Sequence, residues 1–123
     1  MKNSNDNFLI GRLRSLKFAL KGMLLLITTE HSIMVQFFIA IVMTFVGYFM
    51  EISSLEWMFQ WLAIGLVLVA ESLNTAIEKL LDFIHPAYNK RIGFIKDISA
   101  GAATFAAIIA IFIGIIIYMP KFL

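Results

Sequence analysis

The chain has 123 residues, no cysteine, a formal net charge of +2 and a hydrophobic content of 61%, with a mean hydropathy of +0.91. Ordinary globular domains contain about 45–50% apolar residues, so this is an all-α membrane sequence, read as one small membrane domain over residues 1–123. The lack of thiols excludes disulfides and thiolate metal sites, and no nucleic-acid partner is expected.

Met1–Asn7 is polar, is expected to fray, and carries no cleavable signal pattern. From Phe8 to Thr29 the cations Arg12, Arg14, Lys17 and Lys21 are interspersed with Phe8, Leu9, Leu13, Leu16, Leu20 and Leu24, giving a helix one basic and one apolar side. This is read as an amphipathic surface helix in the membrane interface; packing on the rest of the bundle would be compatible with that. The first span runs from Ile33 to Met50, where only Gln36, Thr44 and Tyr48 carry polar side-chain atoms. A short polar turn over Glu51–Glu56 follows, then Trp57 and Trp61 as interface anchors of a second span to Ile77, whose polar extension continues to Ile84. His85-Pro86 stops that helix, because proline lacks the amide hydrogen and disfavours helical geometry in the preceding residue. A loop is expected through Arg91, and a third span from Ile98 to Met119 opens on small residues that permit close helix approach.

Orientation follows from cation placement. Arg12, Arg14, Lys17, Lys21, Lys79, Lys90, Arg91 and Lys96 flank the amino-terminal segment and the second loop, whereas the 51–56 turn has neither Lys nor Arg. The positive-inside rule therefore puts the amino terminus and the 85–97 loop in the cytoplasm, as expected of a multi-pass protein of the inner (cytoplasmic) membrane.

The most informative feature is a stripe on the second span: Glu71, Asn74, Glu78 and Asp82 are spaced three, four and four residues apart and share one helical face. A carboxylate near the bilayer centre costs at least about 2.5 kcal/mol, so such a stripe faces protein, water or metal rather than lipid. Glu71 lies two turns deeper than Glu78, which makes it the candidate proton acceptor. Glu78 and Asp82 lie nearer the headgroups, where a hydrated cation and phosphates can reach them. Oxygen ligands without thiols suit magnesium, which takes one or two carboxylates and keeps its other positions for water and phosphate. Zinc is disfavoured, because His31 and His85 stand far apart. Neither a P-loop nor a dinucleotide-binding Gly motif occurs. At the entrance of the third span, Lys96 is expected to neutralise phosphate, and Asp97 either joins it or caps the helix. A purely structural hydrogen-bond network between helices remains an alternative use of the stripe.

Glu71-Ser-Leu-Asn-Thr-Ala-Ile-Glu78, preceded by Ala63-Ile-Gly-Leu-Val-Leu-Val-Ala70 and followed by Asp82 and Lys96-Asp-Ile-Ser-Ala-Gly101, resembles the signature of the prokaryotic diacylglycerol kinase and undecaprenol kinase family. The similarity extends to Ser15-Leu-Lys-Phe-Ala-Leu-Lys-Gly22, Thr29-Glu30 and Ser54-Leu-Glu-Trp57. It implies a homotrimer whose subunits each carry a surface helix and three transmembrane helices, with active sites shared between neighbours. It also implies magnesium-dependent transfer of the ATP γ-phosphate to a lipid alcohol at the cytoplasmic face. In that likeness Glu71 is the catalytic base, Glu30 and Glu78 hold the metal, and Arg12, Phe18, Asn74, Asp82, Tyr88, Asn89, Lys96 and Asp97 surround the nucleotide.

Departures from the family pattern fall at Ala87-Tyr88-Asn89, where a Glu-Tyr-His element is usual, and at Phe18, where a tyrosine is common. The lipid is not read by any side chain: Leu66, Val69 and Leu73 with Ala100 to Ala103 are expected to supply only alkyl packing beside Glu71. The competing class is a non-catalytic oligomeric membrane protein whose carboxylate stripe is a structural or ion-conducting seam.

Overall fold

The computed structural model describes residues 7–123; the frayed tail expected over Met1–Asn7 lies outside these except for Asn7, which caps the first helix. Within them the chain forms α1 (Phe8–Thr29), α2 (His31–Phe49), α3 (Ser54–Ile84) and α4 (Lys90–Phe122). Asn7 Oδ1 accepts from the Ile10 amide at 2.8 Å and satisfies one of the orphan donors that begin α1. Glu30, in extended geometry, is the one-residue break between α1 and α2.

Helices α2, α3 and α4 are each long and apolar enough to cross a membrane. At 31 and 33 residues, α3 and α4 are about 46 and 50 Å long and outrun a hydrocarbon core of about 30 Å, so each carries polar turns beyond it.

α2 is His31–Phe49 rather than Ile33–Met50 and α4 ends at Phe122 rather than Met119, and two helix starts differ from the hydropathy reading for reasons seen at their caps. α3 begins at Ser54 rather than Trp57, because a capping box starts it: Ser53 Oγ accepts from the Glu56 amide at 3.1 Å and Glu56 Oε1 accepts from the Ser53 amide at 2.9 Å. The polar turn thus shrinks to 50–53, with Glu51 in the left-handed region at φ 54°. α4 begins at Lys90 rather than Ile98, since Asn89 Oδ1 accepts from the Arg91 amide at 2.8 Å. The loop expected through Arg91 closes at Asn89, and Asp97 stands inside α4, so it does not cap the helix. Pro86 does end α3, whose last residue is Ile84.

The helices pack most tightly where α2 turns into α3. Ile52, Ile117 and Tyr118 are buried there, flanked by Met43, Val46, Met50, Trp57 and Ile113. In hydrocarbon every polar group needs an internal partner. The buried Gln60 amide meets this need by donating to the Met43 carbonyl at 2.9 Å and accepting from the Tyr118 hydroxyl. Lys121 Nζ reaches Glu56 Oε1 at 3.2 Å and ties the end of α4 to the start of α3. The α3–α4 contact is the most extensive in the chain, and Ser99, Ala103 and Ala106 are buried along α4, as their small size anticipated.

Gly47 shows how close the approach is: a Cβ there would lie 2.9 Å from Trp57 Cη2 and 3.0 Å from Ile52 Cδ1. Gly47→Val is therefore expected to cost about 1–3 kcal/mol by overpacking, read as a lower thermal midpoint in detergent. An unchanged midpoint would remove this contact from the core.

Candidate active site

The stripe stands at the opposite end of α3, near the α3–α4 loop. Glu71, Asn74 and Glu78 are half-buried and Asp82 is exposed. Asn74 Nδ2 donates to Glu78 Oε1 one turn away at 3.4 Å, so the three-four spacing does bring these two side chains together. Asn74 Oδ1 is buried with no hydrogen-bond partner, a condition that costs about 1–3 kcal/mol unless a donor or cation meets it. Among the described residues Glu71 makes neither a hydrogen bond nor an ion pair, and its carboxylate is left available seven residues, about 10 Å, deeper along α3 than Glu78.

Two lysines complete the cluster. Lys96 Nζ on α4 lies 2.6 Å from Asp82 Oδ1, joining two residues that the sequence placed at the same membrane face. Lys79 Nζ on α3 lies 2.9 Å from Glu30 Oε1 at the α1–α2 break, which brings Glu30 to the residue next to Glu78. Glu30, one of the two carboxylates expected to hold a metal, thus stands at the same end of the bundle as Glu78 and is neutralised here by a lysine that sequence reading used only for orientation. Among the described residues no three His, Asp or Glu side chains converge on a common point.

The remaining candidates sit apart from the stripe. Arg12 and Phe18 lie on exposed stretches of α1, eighteen and twelve residues before Glu30, or about 27 and 18 Å along the helix. α1 has its main contact with α2 and none comparable with α3 or α4, so the single chain does not set either residue against Glu71. Tyr88 is exposed and packs over Gly93, where a Cβ would lie 3.3 Å from its ring. The Asn89 side-chain oxygen Oδ1 is engaged in capping α4. His85 Nδ1 lies 2.7 Å from the Ala87 carbonyl oxygen within the loop. Asp97 is exposed on α4 beside Lys96.

Leu66, Val69 and Leu73 are 43%, 60% and 60% exposed on the outside of α3. A cavity of about 390 Å³ lies between α2, α3 and α4, lined by Ile39, Ala40, Ala63, Val67, Ala107 and Ile111 among others. Val67, the lining residue nearest the stripe in sequence, stands one helical turn from Glu71, and from there the cavity extends toward the α2–α3 turn.

Comparison with known proteins adds an independent line. The family model described as prokaryotic diacylglycerol kinase matches residues 17–118, a stretch that includes every stripe residue but not Arg12. A Bacillus subtilis protein named undecaprenol kinase is 40% identical over 75 residues, 61% of each chain. A Synechocystis protein named diacylglycerol kinase is 26% identical over 110 residues, 89% of this chain and 63% of that one. The chain spans about three fifths of the length of these curated relatives.

Proposed function

Since the chain belongs to the prokaryotic diacylglycerol kinase family, we propose that it transfers the γ-phosphoryl group of ATP to the hydroxyl of a membrane lipid, undecaprenol or a diacylglycerol, at the cytoplasmic face. The observation that carries this reading is the unpartnered Glu71 carboxylate, seven residues deeper on the same helical face as the Asn74–Glu78 pair. A lipid hydroxyl reaches that depth from the bilayer, and phosphates reach Glu78, Asp82 and Lys96 from water.

The donor set fits a hard divalent cation: Glu30 and Glu78 are carboxylates brought to one end of the bundle, and the orphaned Asn74 Oδ1 is a buried acceptor lacking a positive partner. Magnesium, when bound, offsets phosphate charge and leaves positions for phosphate oxygens. Phosphoryl transfer otherwise asks mainly for positioning. Glu71 takes the hydroxyl proton as the lipid oxygen bonds to the γ-phosphorus and the bond to the bridging oxygen of ADP breaks. Lys96 exchanges its Asp82 partner for phosphate oxygen, and Asn74 orients Glu78 through its amide.

Arg12, Phe18, Tyr88, Asn89 and Asp97 are assigned to the nucleotide by resemblance. For Arg12 and Phe18 this requires α1 of a neighbouring copy. A homotrimer with shared sites meets that need and is supported by the limited contact of α1 with its own bundle. The cation distribution supports a cytoplasmic amino terminus, with α1 lying in the interface.

A second reading, a structural seam, draws on the Glu30–Lys79 and Asp82–Lys96 pairs. Purified protein in one detergent separates the two. Magnesium-dependent ATP consumption is expected only with a membrane-resident primary alcohol, with undecaprenol slightly preferred over diacylglycerol given the identity to the Bacillus protein. Efficient phosphorylation of glycerol without an amphiphile would overturn the interfacial mechanism, and no lipid-dependent turnover would leave the seam.

A further inference from the structure

Lys79 stands outside the stripe. It follows Glu78 by one residue, so its Cβ is turned about 100° around α3 from that carboxylate. Its ammonium nevertheless reaches across to the break between α1 and α2 and lies 2.9 Å from Glu30 Oε1. Burial is unequal within this pair: the Glu30 side chain is 21% exposed and that of Lys79 66%. Glu30 is thus a largely shielded carboxylate whose charge is met, among the described residues, by one flexible cation from another helix. A shielded anion without a counter-charge is costly. A mostly solvated lysine holds it only weakly, with side-chain entropy opposing the contact.

We propose that Lys79 is a placeholder cation: it neutralises Glu30 while the site is empty and yields that carboxylate to the divalent cation that arrives with nucleotide. The inference rests on the metal reading of Glu30 and Glu78 given above. A permanent ion pair with Glu30 would block a cation ligand. An absent partner would leave the shielded Glu30 charge unmet at the α1–α2 break. A long, exposed lysine satisfies both demands, since it meets the Glu30 charge at rest and leaves when a doubly charged competitor binds. The pair also fixes the end of α1 to α3, so metal entry is coupled to release of the α1–α2 break.

Manganese is a suitable probe, being a hard divalent ion that favours oxygen ligands and is visible by electron paramagnetic resonance. Full-length protein in detergent, without nucleotide or lipid, is titrated with manganese alone. Removing the competing cation in Lys79→Gln is expected to lower the half-saturating manganese concentration about two- to fivefold, the range that an exposed ion pair supports. Lys79→Arg, which preserves the charge, is expected to bind like wild type. Glu30→Gln/Lys79→Gln is expected to lose the gain, because the contested carboxylate is gone. If Glu30→Gln weakens manganese binding but Lys79→Gln leaves it unchanged or weaker, the metal reading stands and the placeholder role is overturned. If Glu30→Gln and Glu78→Gln both bind manganese like wild type, the metal reading fails and the placeholder role fails with it.

Discussion

Replacement of Glu71 by Gln is expected to reduce lipid phosphorylation by about 10²–10⁴-fold, the usual span for loss of a general base, while leaving nucleotide binding in place. The substitution keeps the shape of the side chain and removes only its capacity to accept a proton. Its structural cost is small for a reason visible in the fold: among the described residues Glu71 holds no hydrogen bond or ion pair, so no partner is stranded when the charge goes. A fall in turnover with an unshifted thermal midpoint and unchanged binding of an ATP analogue would identify a chemical defect. Turnover within about threefold of wild type would exclude Glu71 as the base.

Glu30→Gln and Glu78→Gln are each expected to raise the magnesium concentration for half-maximal activity by about tenfold or more, on the scale seen when metal sites lose supporting groups. Each substitution removes one anionic ligand from a hard-cation site. The two differ in what they leave behind. Glu30→Gln frees Lys79, whereas Glu78→Gln leaves Asn74 Nδ2 facing another amide. If one ion draws on both carboxylates, the double variant is expected to show much less than the sum of the two free-energy changes. Full additivity, or unchanged magnesium dependence in both single variants, would dissolve the shared site.

The stripe was legible because helical periodicity is local: residues three and four apart share a face whatever surrounds them, and Asn74 and Glu78 do bond to each other. The start of α4 was not, because hydropathy reports the solvent a segment suits and not whether its backbone is helical. Lys90 to Asp97 carries four charged side chains yet is helical, launched by the Asn89 cap, and that places Asp97 two turns inside the helix. The Glu30–Lys79 pair was hidden for another reason. Its members are 49 positions apart (79 − 30 = 49) on different helices, and no spacing rule reaches across a chain reversal. The cavity shows the same limit, since Leu66 and Val69 are as apolar as Val67, and only the packing of α2 and α4 decides which of them faces inward.

The two ends of the α3–α4 pair are fastened unequally. At one end Gln60, Tyr118, Trp57, Ile52 and the Lys121–Glu56 pair form the joint; at the other, the tips are joined by the 85–89 loop, Leu81 and Ser99 are buried, and Lys96–Asp82 is the exposed ion pair. From Gln60 to Ile84 the lever arm is about 36 Å at 1.5 Å per residue, so an angular opening of about 5° separates the tips by about 3 Å. A rotation that small leaves the joint's side chains in their places, as shear motions of packed helices do. An opening of that size would break the exposed Lys96–Asp82 pair and loosen the burial of Leu81 and Ser99 at the tips, whereas the joint at Gln60 need not repack.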